Sequence, residues 1–158
     1  MYQKAKEIFV ADIDEAKIEL IKKKYPRVSV VPVGEIHKKR VSIFSPCALG
    51  NCINFRNINE LNCEIILGGA NNQLEDNKLA EILHKMGILY APDYVVNAGG
   101  LISVYEEYKN NNSMLRQVYR KVKNLQRIFA KILLESKIKD RPPLEISNRK
   151  AERIFNKK

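Results

Sequence analysis

Residues 90–100 have the sequence Tyr-Ala-Pro-Asp-Tyr-Val-Val-Asn-Ala-Gly-Gly, and the predicted fold is organised around them. Pro92 interrupts the chain, and the apolar run at residues 94–96 predicts a short buried strand. A helix is predicted from about Leu101. This order of elements places Asn97 at the end of a strand, where it faces a cleft.

Two glycines separate Asn97 from the predicted helix. Gly99 and Gly100 carry no Cβ, so the backbone there can lie against a flat ligand. The unpaired N–H groups of the following helical turn favour a polar or anionic group nearby. The stretch therefore predicts a ligand-binding turn, and the alternative is a turn that needs small residues only for packing.

Two further stretches repeat this pattern of an apolar run followed by small or amide residues. Pro-Cys-Ala-Leu-Gly at residues 46–50 follows the apolar run 41–44, and Gly-Gly-Ala-Asn-Asn-Gln at residues 68–73 follows the run 64–67. The ends of parallel strands project from the same carboxyl edge of a sheet, which is where open α/β sheets bind ligands. We therefore expect all three stretches at one site.

An acidic residue ends the first apolar run of the chain. Residues 7–11 predict a buried parallel strand, and Asp12 follows it. In a dinucleotide fold, an acidic side chain at the end of the second strand accepts hydrogen bonds from the ribose hydroxyls and repels a 2′-phosphate. If this run is that strand, Asp12 indicates NAD rather than NADP. Asp14 is predicted to cap the helix that runs from Glu15 to about Lys24, and capping is also the alternative role for Asp12.

The other periodic segments complete an alternation of strands and helices, which predicts a doubly wound parallel sheet. We divide the chain into a dinucleotide-binding part, residues 1–112, and a helical segment packed on it, residues 113–158. The remaining predicted elements are a strand at residues 28–31, a helical turn at 58–61, a helix at 74–86 with Gly87 at its end, a long amphipathic helix capped by Ser113, and a terminal helix at 147–155.

Length and composition indicate a globular protein with a core of its own. The chain has 158 residues, of which 45% are hydrophobic and 29% charged. It has no apolar run of about twenty residues and no signal peptide, so we expect no membrane partner and a cytoplasmic location. Three cysteines, in no metal-ligand spacing, suit a reducing compartment, and we expect them to be small buried residues without thiol or metal chemistry.

The net charge of +10 is concentrated in one part of the chain. Residues 1–108 contain 13 basic and 14 acidic side chains, whereas residues 109–158 contain 15 and 4. The basic residues lie on a helical pattern without interleaved aromatic residues or a recognition motif, which disfavours nucleic acid as a partner. We interpret them as a solvated or subunit-facing surface.

The three strand-end motifs, in this order and spacing, resemble the cofactor half of the Glu/Leu/Phe/Val dehydrogenases, and most closely their leucine dehydrogenase branch. The motifs are residues 45–50, residues 69–73, and residues 90–94 with 97–100. The resemblance extends from about Ala5 to about Ile154. It implies NAD as cofactor and an incomplete Rossmann-like doubly wound parallel sheet with a C-terminal helical extension.

The resemblance also implies roles for single residues. The substrate pocket for an aliphatic side chain is expected at Asn71, Leu101 and Val104. The cofactor is expected to contact Asp12, Ile13, Cys47, Ala48, Leu49, Asn71 and Asn97.

The family's chemistry is oxidative deamination of an L-amino acid to a 2-oxo acid and ammonia, and the resemblance implies that its catalytic lysines and aspartate lie on a separate N-terminal domain. No G-x-G-x-x-G precedes Asp12, so we expect the first βα unit to be missing as well. We therefore assign no catalytic residue and expect no activity from the chain alone. A complementing N-terminal chain or a homo-oligomer would supply a partner for the exposed sheet edge.

Two other functions are compatible with the sequence. One is a non-catalytic binding or assembly module that uses the basic C-terminal third. The other is a fragment of a glutamate dehydrogenase, against which Leu101 and Val104 favour an aliphatic over an acidic substrate.

Overall fold

The computed structural model of the chain describes residues 4–110 and 115–156. The described part of the chain divides into two compact units, one within Met1–Arg40 and Glu60–Asn62 and the other within Val41–Asn59 and Cys63–Lys158. Each unit contains a parallel sheet, which confirms the predicted α/β class. The predicted division of the chain between residues 112 and 113 falls among residues 111–114, which lie outside the described part, and it stays a prediction.

The described residues of the first unit form two strands, one helix and a 3-10 helix. Strands β1 (Ile8–Val10) and β2 (Val28–Val30) pair in parallel, and helix α1 (Glu15–Lys24) connects them. The 3-10 helix spans Val33–Lys38. Asp14 caps α1 as predicted, because its Oδ1 accepts a hydrogen bond from the Lys17 backbone N–H at 3.2 Å.

None of the residues 4–40 is buried. Ile13 is 88% exposed, and Leu20 on α1 is 66% exposed. Two short strands and one helix are too few to enclose a hydrophobic core. The apolar side chains of residues 4–40 therefore remain in contact with solvent, whereas Leu61 of the same unit is buried.

The second unit is built on a three-stranded parallel sheet with the order β3-β4-β5. Its strands are β3 (Val41–Phe44), β4 (Cys63–Ile66) and β5 (Leu89–Tyr90). A 3-10 helix at Ile58–Glu60 precedes β4, at the position of the predicted turn, and helix α2 (Leu79–Lys85) connects β4 to β5. The strands predicted at residues 41–44 and 64–67 are confirmed to within one residue.

Four helices follow β5 within the part of the chain that the structure describes. They are the one-turn helix α3 (Asp93–Val96), α4 (Gly99–Asn110), α5 (Leu115–Lys139) and α6 (Pro143–Phe155). Val95, Ile132 and Ile146 form a buried cluster in which α3, α5 and α6 meet, and the partly buried Phe129 packs against it. Of the helices in residues 4–110 and 115–156, none has an apolar stretch long enough to cross a membrane.

The ends of the C-terminal helices differ in detail from the prediction. The predicted cap Ser113 lies outside the described residues. Helix α6 begins at Pro143 rather than Ser147, because proline is well suited to the first turn of a helix, where its missing N–H costs no hydrogen bond. Gly87 follows α2 with φ 75°, as predicted for the residue after a helix end.

The strand orders of the two sheets can each be compared with a doubly wound dinucleotide fold. A doubly wound dinucleotide fold has the strand order 3-2-1-4-5-6. Without strand 1, this order leaves one pair, 3-2, and one triplet, 4-5-6. The described residues contain a parallel pair, β1-β2, and a parallel triplet, β3-β4-β5, which is the arrangement predicted for a Rossmann-like sheet without its first βα unit.

The strand predicted at residues 94–96 is wrong, because these residues form helix α3. The backbone N–H groups of Val95 and Val96 both donate to the Pro92 carbonyl oxygen, at 3.0 and 3.1 Å. The strand instead ends at Tyr90, and Pro92 has no N–H with which to continue a strand ladder. Asn97 therefore follows a helical turn.

The helix predicted from Leu74 begins later, at Leu79. Leu74 forms an isolated parallel bridge with Ile53, so its backbone is extended. Asp76 then starts a turn, because its Oδ1 accepts from the Lys78 N–H at 2.7 Å and its carbonyl oxygen accepts from the Leu79 N–H at 3.0 Å. Because Leu74 pairs with the distant Ile53, the helix is shorter than the sequence predicts.

Gly68 is the glycine whose replacement should cost the most stability. A Cβ at this position would lie 2.0 Å from the Pro46 carbonyl oxygen and 2.6 Å from the Pro46 nitrogen, both backbone atoms. We predict that Gly68→Ala lowers the free energy of unfolding by about 3 kcal/mol, the upper part of the range for overpacking. Denaturant unfolding of the purified chain measures this change.

Gly100→Ala is the matched control, because a Cβ on Gly100, in helix α4, would meet nothing within 4 Å. Alanine is a better helix former than glycine, so this variant should keep or raise stability by up to about 1 kcal/mol. Equal unfolding midpoints for the two variants would contradict the close approach of residues 46 and 68.

Candidate functional site

The loops after β3, β4 and β5 emerge from the same edge of the sheet, because the three strands are parallel. Backbone hydrogen bonds extend the pairing past the strand ends. The Ala70 N–H donates to the Pro46 carbonyl oxygen at 2.9 Å, and the Ala91 N–H donates to that of Ile66 at 3.0 Å. The loops that hold the predicted site residues of this unit are thus anchored to one another at their bases.

Two side-chain amides from different loops meet at this edge. Asn97 Nδ2 donates to the Gly69 carbonyl oxygen at 2.7 Å and to Asn71 Oδ1 at 3.1 Å. Asn71 is exposed and Asn97 is half-buried. The structure therefore brings together the two asparagines predicted to contact the cofactor.

The hydrogen bonds of this pair leave one donor and one acceptor free. Asn97 uses its amide nitrogen and Asn71 uses its amide oxygen, so Asn71 Nδ2 and Asn97 Oδ1 have no partner among the described residues. A primary carboxamide presents one acceptor oxygen and one donor nitrogen. The pair is therefore chemically complementary to a carboxamide such as that of nicotinamide.

The surroundings of the pair leave room for a ligand. Gly69 is exposed, and a Cβ on it would have only Cys47 Sγ within 4 Å, at 3.8 Å. Helix α4 begins at Gly99, and the first N–H groups of a helix have no intrahelical acceptor. Bare backbone, free N–H groups and the two amides together fit the nicotinamide part of a dinucleotide.

The other predicted residues of the second unit are exposed. Cys47, Ala48 and Leu49 lie in the loop after β3, where Leu49 is 79% exposed. Leu101 and Val104 are one turn apart on α4 and are also exposed, so the described residues do not enclose a substrate pocket around them. Their assignments stay predictions.

The second unit also has a concavity away from these loops. It is an apolar groove of about 580 Å³ between α3 and α5, and its lining includes Val95, Val96, Val122 and Phe129. None of the predicted site residues lines it. We therefore place the candidate site at the loops and not in this groove.

In the first unit, Asp12 and Ile13 lie just after β1 and are separated from it by Ala11. Both are exposed. Asp12 Oδ1 accepts a hydrogen bond from the Asp14 backbone N–H at 2.9 Å, which orients the carboxylate at the strand end. A hydrogen bond from the Lys17 backbone N–H lowers the pKa of Asp14. Asp14 is thus occupied with the helix, while the Asp12 carboxylate is accessible to solvent.

The chain matches the sequence model for Glutamate/Leucine/Phenylalanine/Valine dehydrogenase over residues 3–152. It belongs to this dehydrogenase family. It is 38% identical to phenylalanine dehydrogenase of Lysinibacillus sphaericus over 94% of its length, and 46% identical to L-tryptophan dehydrogenase of Nostoc punctiforme over 77%. Identity with leucine dehydrogenase of Bacillus cereus is 34% over 87% of the chain.

A solved structure of the same dehydrogenase family has the same fold. The crystal structure of L-tryptophan dehydrogenase from Nostoc punctiforme superimposes with a TM-score of 0.88 at 39% identity, covering 96% of this chain. The match covers 45% of that structure and 40% of the Lysinibacillus enzyme, 35% of the Nostoc enzyme and 37% of the Bacillus enzyme. The chain thus spans less than half the length of these dehydrogenases.

Two residues of the site were missed from the sequence. Gln73 is fully buried and Asp93 is 8% exposed. Both hydrogen-bond to the loops that hold Asn71 and Asn97. Burial of the Tyr90 side chain raises its pKa, and the nearby charge of Asp93 raises it further. Their position inside two of the family motifs was visible in the sequence, but burial of a polar residue leaves no local pattern.

Both histidines have acidic partners outside the loops of the candidate site. His37 Nε2 lies 2.8 Å from Glu60 Oε2, and this hydrogen bond lowers the pKa of Glu60. His84 Nε2 lies 3.0 Å from Asp140 Oδ1. Within residues 4–110 and 115–156, no three His, Cys, Asp or Glu side chains are grouped so that they could hold a metal ion.

The three cysteines differ in exposure. All are free thiols; Cys47 is exposed, whereas Cys52 and Cys63 are half-buried. The expectation of small buried residues is therefore wrong for Cys47, because its loop lies at the open edge of the sheet. Burial raises the pKa of the Cys52 thiol, and raises that of Cys63 to about 11.

These differences predict an order of thiol alkylation. At pH 8 only about one Cys63 thiol in a thousand is ionised, since its pKa is near 11, and the thiolate is the reactive form. We expect iodoacetamide to label Cys47 well before Cys63, as read by peptide mass spectrometry. Raising the pH from 8 to 10 should accelerate Cys63 labelling by about a hundredfold.

A Cys47→Ser variant provides the control, because it should remove the fast phase and leave the slow labelling unchanged. Labelling of Cys63 as fast as Cys47 at pH 8 would show that β4 is not protected as the structure describes.

Proposed function

We propose that this chain is the NAD-binding part of an L-amino acid dehydrogenase that oxidatively deaminates an amino acid with an apolar side chain. The observation that supports this best is the Asn71–Asn97 pair, whose free donor and acceptor match a nicotinamide carboxamide. Leucine is the first substrate to test, since Leu101 and Val104 present an aliphatic surface on α4. Phenylalanine and tryptophan, after which two of the relatives are named, are the comparators.

The residues of the chain would have separate roles toward the cofactor. The Asp12 carboxylate would accept hydrogen bonds from the adenosine ribose and, by its charge, disfavour a 2′-phosphate. Asn71 Nδ2 would donate to the carboxamide oxygen, and Asn97 Oδ1 would accept from its nitrogen. When bound, NAD supplies the hydride acceptor for oxidation of the substrate α-carbon.

Catalysis would require residues that this sequence does not provide at the site. From the family resemblance we expect the catalytic lysines and aspartate on an N-terminal domain, and the glycine-rich turn on a first βα unit. Among the described residues, β1 pairs only with β2 and β3 pairs only with β4, so each keeps one edge to which a parallel strand can add. We propose that an N-terminal segment, in the same or a separate polypeptide, completes the enzyme.

The alternative of an assembly module built on the basic C-terminal third has less support. Five basic side chains from this region already form ion pairs: Lys121 with Glu106, Lys139 and Lys150 with Glu135, and Arg141 and Arg149 with Glu145. Hydrogen bonds from Lys139, and to a lesser extent from Lys150, lower the pKa of Glu135 to about 2, so this acidic partner is ionised at neutral pH.

The three free cysteines fit a reducing location such as the cytoplasm.

Cofactor binding is testable by thermal unfolding with and without NAD. A ligand that binds only the folded chain stabilises it by about 2.7 kcal/mol at a hundred times its dissociation constant. We expect the unfolding midpoint to rise with NAD and to rise less with NADP at the same concentration. No shift at millimolar NAD would contradict cofactor binding by this chain.

Asp12 and Glu15 form a matched pair for the same assay, since both are exposed acidic residues near the end of β1. Asp12→Ala should weaken NAD binding about tenfold by removing charge-assisted hydrogen bonds to the ribose. Glu15→Ala should leave the affinity unchanged. Equal effects of the two substitutions would argue against a ribose contact by Asp12.

The need for an N-terminal partner predicts no leucine-dependent reduction of NAD by the purified chain. Activity should appear when the N-terminal part of a relative, for example the Bacillus cereus leucine dehydrogenase, is fused or added to it. Absorbance at 340 nm follows the reaction. Turnover by the chain alone would overturn the proposed dependence on a partner.

A further inference from the structure

Two buried polar side chains hold the segment that carries Asn71. Gln73 Nε2 donates to the carbonyl oxygen of Gly68 at 3.0 Å and to that of Ala70 at 2.9 Å. Both partners are acceptors, so the nitrogen of the amide must face them and the orientation of the side chain is determined. One buried side chain thus satisfies two carbonyl groups of the loop after β4.

These two carbonyl groups flank the one that anchors Asn97. Gly69 lies between Gly68 and Ala70, and its carbonyl oxygen accepts the 2.7 Å hydrogen bond from Asn97 Nδ2. Asn71 follows Ala70 directly. Gln73 therefore fixes the peptide groups on both sides of the Asn97 anchor, including the one that leads into Asn71.

Asp93 connects the same loop to the segment that carries Asn97. Its Oδ2 accepts from the Gln73 backbone N–H at 3.2 Å, and its Oδ1 accepts from the Tyr94 N–H at 2.7 Å. Its carbonyl oxygen accepts from the Asn97 N–H at 2.7 Å, where Asn97 caps the end of α3. A single buried residue is thus bonded to the loop of Asn71 through its carboxylate and to Asn97 through its backbone.

Packing alone does not explain a glutamine at position 73. Gln73 Oε1 is buried and has no hydrogen-bond partner among the described residues. An unpaired buried acceptor is unfavourable, and an apolar side chain of similar size would avoid it. A glutamine at this position is therefore explained by its two amide protons, which hold the carbonyl groups of Gly68 and Ala70 in place.

We propose that Gln73 and Asp93 are positioning residues for the nicotinamide end of the cofactor site. They hold Asn71 and Asn97 in the arrangement that leaves one amide donor and one amide acceptor free. Only the identity of the ligand rests on the proposed function; the positioning of the two asparagines can be tested without any cofactor.

The first experiment measures proton exchange at the Asn97 side-chain amide by NMR in the full chain. The variant is Gln73→Met, which keeps the approximate size of the side chain and removes both donors. We expect Asn97 Nδ2 protons to exchange about tenfold faster in the variant. The backbone amides of Leu83 and Ile132, which are buried in α2 and α5, report that the chain is still folded.

Gln126→Met is the matched control, because it makes the same chemical change at an exposed position of α5. It should leave Asn97 exchange at the wild-type rate. Unchanged exchange at Asn97 in a folded Gln73→Met chain would overturn the positioning role.

The second experiment compares binding of NAD with binding of ADP-ribose, which lacks the nicotinamide. Gln73→Met should weaken NAD about tenfold and leave ADP-ribose unchanged. An Ile132→Val variant lowers stability at a buried position of α5 and should keep the wild-type ratio of the two affinities. Equal weakening of both ligands by Gln73→Met would show a general structural role and overturn the proposal.

If Gln73→Met fails to fold, the Asp93→Asn variant tests the positioning role instead. It keeps the size of the side chain and one acceptor oxygen, so we expect smaller changes, about threefold, in the same direction. Wild-type exchange and a wild-type affinity ratio in this variant would overturn the proposal. A wild-type chain that binds neither ligand would refute the proposed cofactor function, while the exchange experiment would still decide the positioning of Asn97.

Discussion

The backbone of Gly68 lies directly against that of Pro46, and the candidate site of the second unit depends on this contact. Position 68 leaves no space for a side chain, since a Cβ would lie 2.0 Å from the Pro46 carbonyl oxygen. The hydrogen bond from the Ala70 N–H to the same oxygen continues the β3–β4 pairing beyond the strands. The loop that ends in Asn71 therefore starts from a rigid base, and the position of this exposed amide follows from the sheet.

The first unit shows the opposite situation, because its described residues do not make a core. Parallel sheets are normally covered on both faces, and their strands are correspondingly apolar. Strand β1 has the apolar sequence Ile-Phe-Val, yet none of its residues is buried, and Leu20 on α1 is largely exposed. A strand pair of this composition gains stability when further elements cover it. This is the physical basis for expecting an additional strand and helix beside β1.

Most elements could be predicted because their signals are local. The apolar runs at residues 7–11, 28–31 and 41–44 became β1, β2 and β3, and Asp14 caps α1 as expected. The run at residues 94–96 has a similar composition but forms a helical turn. Whether such a run becomes a strand depends on a pairing partner, and β4 already pairs with Leu89–Tyr90. Leu74 shows the converse, because pairing with Ile53 removed it from a predicted helix.

The candidate site was predictable in its exposed residues and not in its buried ones. Asn71, Asn72 and Gln73 are three consecutive amides that have different roles. Asn71 bonds Asn97 at the surface, Asn72 adopts the left-handed conformation with φ 51°, and Gln73 is buried with its two protons on backbone carbonyls. The side chains are chemically alike, so their roles are set by where the backbone places each one. Because Gly68 determines the path of that backbone, the roles of all three amides depend on the same close approach to Pro46.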